Sequence, residues 1–193
     1  MQRAAALNPG TMAAVIGLEL EAVAETCAGL EGAWVANDNT PGQVVVAGTY
    51  AGVEEAGRAL AARGAKRVIP LQVGGAFHSP LMEAAQEELD EALAGVAFRR
   101  PGWPVVANVD AQPHDHGFGP LLSAQLRSRV RWRESLATLA GRGAQLFVEL
   151  GPGTELSGMV KRAVPGALRA NVAGPADLPG LGAALAQAGP AGG

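Results

Sequence analysis

The sequence holds a single cysteine, Cys27, so it can form neither an internal disulfide framework nor a metal site built from several thiolates. A reducing compartment is the expectation, and the cytoplasm is its default. No stretch of membrane-spanning length is free of charge, and the N-terminus, with one early arginine at Arg3, lacks the apolar core of a secretory signal. Neither sign of charge is in large excess. The formal net charge of -3 and an isoelectric point near 5.6 give no general field for nucleic acid or an anionic membrane, so neither is an expected partner. Aromatic residues are only 4% of the chain, yet 48% of its 193 residues are hydrophobic, enough for a core of aliphatic side chains and alanine. Internal repeats are absent.

What is present alternates between short strands and helices. Residues 12–18 read as a strand with Val15 and Ile16 at its centre, and 19–29 as a helix stopped by Gly29. Two strands, 34–37 and 43–47, bracket the turn cluster Asp38-Asn39-Thr40-Pro41-Gly42. A helix over 50–63 with Val53, Ala56 and Leu60 on one face and a strand over 66–73 complete the series. The order β-α-β-β-α-β over residues 12–73 is the split, ferredoxin-like arrangement, so the fold class is α/β. Residues 74–172 then give helices over 80–94, 118–126, 132–140 and 154–164 with strands over 104–109 and 145–150, an α/β layer with too few strands to stand as a doubly wound sheet. This portion therefore reads as part of a larger domain. Residues 173–193 turn to Pro, Gly and Ala and are expected to be a flexible tail with at most one weak helix near 181–188.

The stretch Val73–Met82 carries the most chemistry. Ser79 is a good N-cap, Pro80 suits the first helical position, and Met82, Ala85, Leu89 and Leu93 recur at helical spacing. His78 stands just ahead of that helix start, where the dipole disfavours imidazolium, which suits a neutral general base. A cap or packing histidine fits the same spacing. Other motifs have plainer readings beside the chemical ones. Pro113-His114-Asp115-His116 holds two imidazoles and a carboxylate, but in a loop flanked by proline and glycine the solvated reading is the expectation, and no metal site is assigned. Arg127, Arg129, Arg131 and Arg133 form a basic run around Trp132, which serves equally as an exposed helix start or as a steering patch for an acidic partner. Gly151-Pro152-Gly153 before a helix reads as a tight turn ahead of an anion-binding one.

Seven segments in order, over about residues 12 to 162, carry a resemblance. They are Met12–Leu18, Asn37-Asp38-Asn39-Thr40-Pro41-Gly42-Gln43-Val44-Val45, Gly64–Arg67, Gly75-Ala76-Phe77-His78-Ser79-Pro80-Leu81-Met82, Pro104–Asp110, Val130–Trp132 and Phe147–Gly153. In these the chain resembles malonyl-CoA:acyl carrier protein transacylases and the acyltransferase domains of polyketide and fatty acid synthases. The resemblance implies a ferredoxin-like subdomain inserted into an α/β-hydrolase-like acyltransferase domain, of which this chain holds the C-terminal part. It implies transfer of malonyl from malonyl-CoA to acyl carrier protein, with no metal or redox cofactor. His78 corresponds to the base, oriented by the backbone carbonyl of Gln125; Asn39 to a pocket residue near the acyl group; Asn37, Gln43 and Met12 to adjoining positions. Phe77 corresponds to the bulky residue of malonyl-selective members, where exclusion of one methyl is worth about 1–3 kcal/mol.

The family's nucleophile is a serine in a Gly-x-Ser-x-Gly elbow, preceded by a glycine-rich oxyanion loop and followed by an arginine for the malonyl carboxylate. Of Ser79, Ser123, Ser128, Ser135 and Ser157, none sits between the two framing glycines. The expectation is a chain inactive alone, in need of the nucleophile half as partner. Two rivals fit the same residues: a non-catalytic ferredoxin-like interaction module, and a thioester hydrolase that uses water as acceptor.

Overall fold

The computed structural model describes residues 2–189, which fall into a first compact unit ending at Ser135 and a second beginning at Leu136. The first opens with a helix not anticipated from sequence, α1 (Gln2–Leu7), and continues through β1 (Thr11–Ile16), α2 (Leu20–Ala28), β2 (Ala33–Thr40), β3 (Gln43–Gly48), α3 (Tyr50–Ala62) and β4 (Arg67–Pro70). The four strands form one sheet in the order β2-β3-β1-β4, and every neighbouring pair is antiparallel. Central β1 is buried on both faces, which is why its sequence is a continuous apolar run. Ala13 and Val15 join Val44, Val46, Leu20, Val23, Cys27, Val53, Ala56 and Leu60 in a core between the sheet and helices α2 and α3. Within it the Cys27 thiol is pushed up to about 11 by burial, so it behaves as a small apolar group. Thr49 caps α3, its hydroxyl accepting from Gly52 N at 3.0 Å.

The opposite sheet face carries Met12, Ala14, Val45 and Ala47, and what covers it is the segment holding Leu71, Ala76, Phe77 and Leu81. β4 is shorter than its expected span: Leu71 N still donates to Met12 O (2.9 Å), and a γ-turn from Val73 N to Leu71 O (3.0 Å) then bends the chain away from the ladder. Glycine is obligatory where this segment threads between neighbours. A Cβ on Gly75 would lie 2.5 Å from the Cβ of Ala5, and one on Gly10 would lie 2.8 Å from the Cβ of Ala76. A 3-10 turn (Pro80–Met82) leads into α4 (Glu83–Leu93), so the expected helix begins with a tighter first turn. The strand expected over 104–109 is only β5 (Val105–Val106), paired with β6 (Pro113–His114); beyond it Asp110 accepts from Gln112 N at 3.0 Å, which turns the chain. Helix α5 (Phe118–Gln125) follows, and the chain passes into the second unit within α6 (Trp132–Gly141).

The second unit contains β7 (Leu146–Leu150), α7 (Glu155–Ala163), β8 (Leu168–Val172), a 3-10 turn (Pro175–Asp177) and α8 (Leu178–Ala188). β7 and β8 pair in parallel through the α7 crossover, and both α7 and α8 pack against the pair. Strand β8 was not anticipated. One face of β7 stays uncovered, with Val148 39% and Leu150 77% exposed. The expected tail thus contains a helix resting on β8, three residues longer at its start than the 181–188 expectation; residues 190–193 lie outside the described residues.

Candidate active site

His78 lies one residue before the N-cap of the 3-10 turn, half-buried, with φ +58°. Positive φ is uncommon outside glycine, though histidine is among the residues enriched there, and such backbone clusters at functional sites. The ring Nδ1 is 3.2 Å from the carbonyl oxygen of Gln125 at the end of α5. A carbonyl only accepts, so in the neutral ring Nδ1 carries the proton and donates it, and Nε2 carries the lone pair. That is the tautomer a general base needs on its free nitrogen.

The remaining expected site residues divide between two places. Met12 belongs to the buried cluster on the loop-covered sheet face, and Phe77 packs against that cluster. On β2, two bulges, between Val35 and Asn37 and between Asp38 and Thr40, bring Asn37 opposite Val45 and Thr40 opposite Gln43. Asn37 and Gln43 therefore point to the side that Met12 and Val45 occupy, and Thr40 Oγ1 donates to Gln43 Oε1 at 3.5 Å. Asn39, inside the second bulge, is 9% exposed.

The segment that follows Gln125 is tied to β2. Val130 N donates to Ala36 O at 2.7 Å and Asp38 N to Val130 O at 2.8 Å, a parallel bridge at the sheet edge. Asn108 fastens the same segment: its Nδ2 donates to Arg129 O (3.2 Å) and its Oδ1 accepts from Arg131 N (3.0 Å). Asn108 belongs to the segment Pro104–Asp110, and its offset from both partners exceeds twenty residues, so no local signal marked its role.

The four arginines do not form a free basic stripe, because each meets a carboxylate. Arg127 pairs with Glu83; Arg129 and Arg131 share Glu134 at 2.7 and 3.0 Å; Arg133 reaches Glu19 at 3.1 Å and Asp38 at 3.0 Å. Burial raises the Glu134 carboxyl, and hydrogen bonds from Arg129 and Arg131 outweigh it and hold that group below its ordinary value. Asp38 is fully buried, on the helix-facing side of the sheet opposite Val44. Burial pushes its carboxyl up, opposed by Arg133, and its Oδ1 is without a hydrogen-bond partner among the described residues.

His114 pairs with Asp110 at 2.9 Å and His116 with Asp115, so the two imidazoles are separately engaged. Among the described residues no group of three or more His, Cys, Asp or Glu side chains could hold a metal ion. A surface cavity of about 510 Å³ is lined by Phe98, Arg99, Arg100, Asp115, His116 and Phe118, and it includes none of the expected site residues. In the second unit the turn before α7 is filled from within. Glu149 accepts from Leu156 N (3.1 Å), Ser157 N (2.8 Å) and Asn171 Nδ2 (2.9 Å), so the amides that an anion would use hold a carboxylate of the same chain.

The site thus offers a half-buried imidazole with one nitrogen held by a main-chain carbonyl. The chain belongs to the acyl transferase domain family, whose model matches residues 1–179. Its relatives include the malonyl CoA-acyl carrier protein transacylase of Escherichia coli, 41% identical over 169 residues that make up 85% of this chain and 55% of that protein. That of Bacillus subtilis is also 41% identical, over 168 residues, 84% of this chain and 53% of the relative. Among solved structures, MCAT from Streptococcus pneumoniae superposes with a TM-score of 0.89 at 38% identity, covering 96% of this chain and 62% of that one. A complex of a type II polyketide acyl-carrier protein with its malonyl-transacylase gives 0.83 at 38% identity, with 88% and 56% covered. The chain spans about half the length of the curated relatives it matches.

Proposed function

We propose that this chain supplies the base and part of the acyl pocket of a malonyl-CoA:acyl carrier protein transacylase, and that a partner segment bearing a Gly-x-Ser-x-Gly elbow supplies the nucleophile. The observation that carries the reading is the hydrogen bond from His78 Nδ1 to Gln125 O, at 3.2 Å. In the proposed cycle Nε2 takes the proton from the serine hydroxyl as its oxygen bonds to the thioester carbonyl carbon. The tetrahedral intermediate collapses, the C–S bond breaks, and the CoA sulfur leaves with the proton from Nε2. The phosphopantetheine thiol of the carrier protein then gives its proton to Nε2 and attacks the ester, and the serine oxygen recovers a proton as it leaves. Gln125 keeps the ring in one tautomer throughout. No step draws on a cofactor.

Asn39, Asn37, Gln43, Met12 and Phe77 are assigned to the acyl pocket. Phe77, packed against the cluster that holds Met12, makes that wall bulky, which favours malonyl over a methyl-branched acyl group. The unit over residues 12–73 is read as ferredoxin-like, supported by its β-α-β-β-α-β order and the strand sequence β2-β3-β1-β4. Residues 74–172 are assigned to the large acyltransferase domain. The uncovered face of β7 is a surface that domain would bury. Among the described residues no helix is long and apolar enough to cross a membrane, and the cytoplasm is the proposed location.

The test is transfer. The purified chain is incubated with radiolabelled malonyl-CoA and acyl carrier protein, alone and with the nucleophile-bearing half of a related transacylase added as a separate polypeptide. The expected result is no covalent label on the chain alone and malonyl carrier protein only in the mixture. Free malonate as product would favour the hydrolase, and no His78-dependent product in a mixture that forms a complex would favour the interaction module.

A further inference from the structure

We propose that Ser79 is a positioning residue: its hydroxyl holds the backbone of His78 in the left-handed region and thereby aims the imidazole at Gln125. This deepens the reading of His78 as the base and rests on it, although the geometry of the ring does not. Ser79 is fully buried, a poor place for a hydroxyl unless both its donor and its acceptor capacity are used. Both are. The hydroxyl donates to Ala76 O at 2.6 Å and accepts from Leu81 N at 3.3 Å. It bonds back to the carbonyl that opens the turn Ala76-Phe77-His78-Ser79, and His78 is the second central residue of that turn, at φ +58°.

A turn with positive φ at this position ordinarily takes glycine or asparagine. Histidine stands there because both ends of its backbone are clamped. Upstream, Ala76 has no exposed surface and lies in the sheet-face cluster; downstream, Met82, also fully buried, donates its N–H to Ser79 O at 3.1 Å. Without the hydroxyl, the link between these anchors is lost, His78 is free to return to negative φ, and its Cα–Cβ vector turns away from Gln125. An N-cap role alone needs only the acceptance from Leu81 N; the donation to Ala76 O is the part that reaches the histidine.

Histidine side-chain ¹⁵N resonances test this on the whole chain, which contains only three histidines, His78, His114 and His116. In the parent protein at neutral pH, the His78 Nδ1 signal is expected at the protonated position and Nε2 at the unprotonated one. In Ser79→Ala the two signals should converge as the tautomers mix. Val15→Ala, a core truncation on the far face of the sheet, should leave them apart. Ser79→Thr keeps the hydroxyl and should restore the parent pattern; Ser79→Cys, a weaker donor, should lie between. If Ser79→Ala folds and keeps the single Nδ1–H tautomer, the proposal is overturned. Should that variant not fold, a parent-like His78 pattern in Ser79→Cys overturns it, and converging signals support it. Failure of malonyl transfer in the complemented enzyme would sink the functional reading and leave this result standing, and the converse also holds.

Discussion

At Asp38, a carboxylate with no exposed surface meets the guanidinium of Arg133 at 3.0 Å, and the balance of burial against that charge decides its behaviour. Burial wins, and the carboxyl is raised from 3.8. A raised acid holds its proton in the folded state over a window where the unfolded chain has released it, so its contribution to stability falls as pH rises from 3.8 through the folded value. In Arg133→Leu the opposing charge is gone and that window extends upward. The variant should match the parent below pH 3.8 and lose about 2–4 kcal/mol at pH 7, read by urea unfolding at both pH values. Glu149 has the opposite sign. The hydrogen bond from Ser157 N leads the effects that hold it below 4.5, so its stabilisation is complete above 4.5 and vanishes as pH falls through the folded value. Glu149→Gln should flatten the acid limb of the stability profile below pH 4.5, checked by thermal melts across that range. Single residues were unevenly legible. Motif and resemblance single out His78 and the Gln125 carbonyl, which lie 3.2 Å apart, and capping chemistry singles out Ser79 as the N-cap. Asp38 reads in sequence as one more turn residue, because its partner lies 95 positions away.

Strands and helices with a strong local signal stand where sequence puts them. The apolar run of β1, the Val53, Ala56 and Leu60 stripe of α3, and the Pro41-Gly42 turn, with Gly42 at φ +69°, all agree with their patterns. The failures are elements governed by distant partners. The strand expected over 104–109 is cut short because Asn108 turns to the 129–131 backbone, and β8 exists because it pairs with β7 across α7. The loop that carries His78 is positioned by close packing of small residues, a feature without periodicity. Gly75→Ala tests it: the added methyl would lie 2.5 Å from the Cβ of Ala5. The cost of such overpacking is about 1–3 kcal/mol, seen as a lower urea midpoint at unchanged slope. The bridge between Val130 and β2 is the other element-level anchor, since it ties the segment after Gln125 to the strand that carries Asn37 and Asn39.

For the molecule as a whole, the first unit encloses its cores, whereas the second leaves Val148 and Leu150 open on one face of a two-stranded parallel sheet. Parallel sheets are ordinarily covered on both faces, so this surface favours association. Light scattering should show concentration-dependent self-association of the isolated chain, reduced in Val148→Lys/Leu150→Glu with an unchanged circular dichroism spectrum. The arginine run, matched carboxylate for guanidinium, offers no excess charge on its own to steer a partner. In the proposed enzyme the His78 imidazole is the base for a hydroxyl contributed by another polypeptide segment. Rapid-quench measurement of the rate of covalent malonyl incorporation, in parent and His78→Ala chains mixed with the nucleophile-bearing half, tests it most directly. Label on the added serine and a loss of about 10²–10⁴-fold in His78→Ala are expected; an unchanged rate, or label on the isolated chain, would refute His78 as that base.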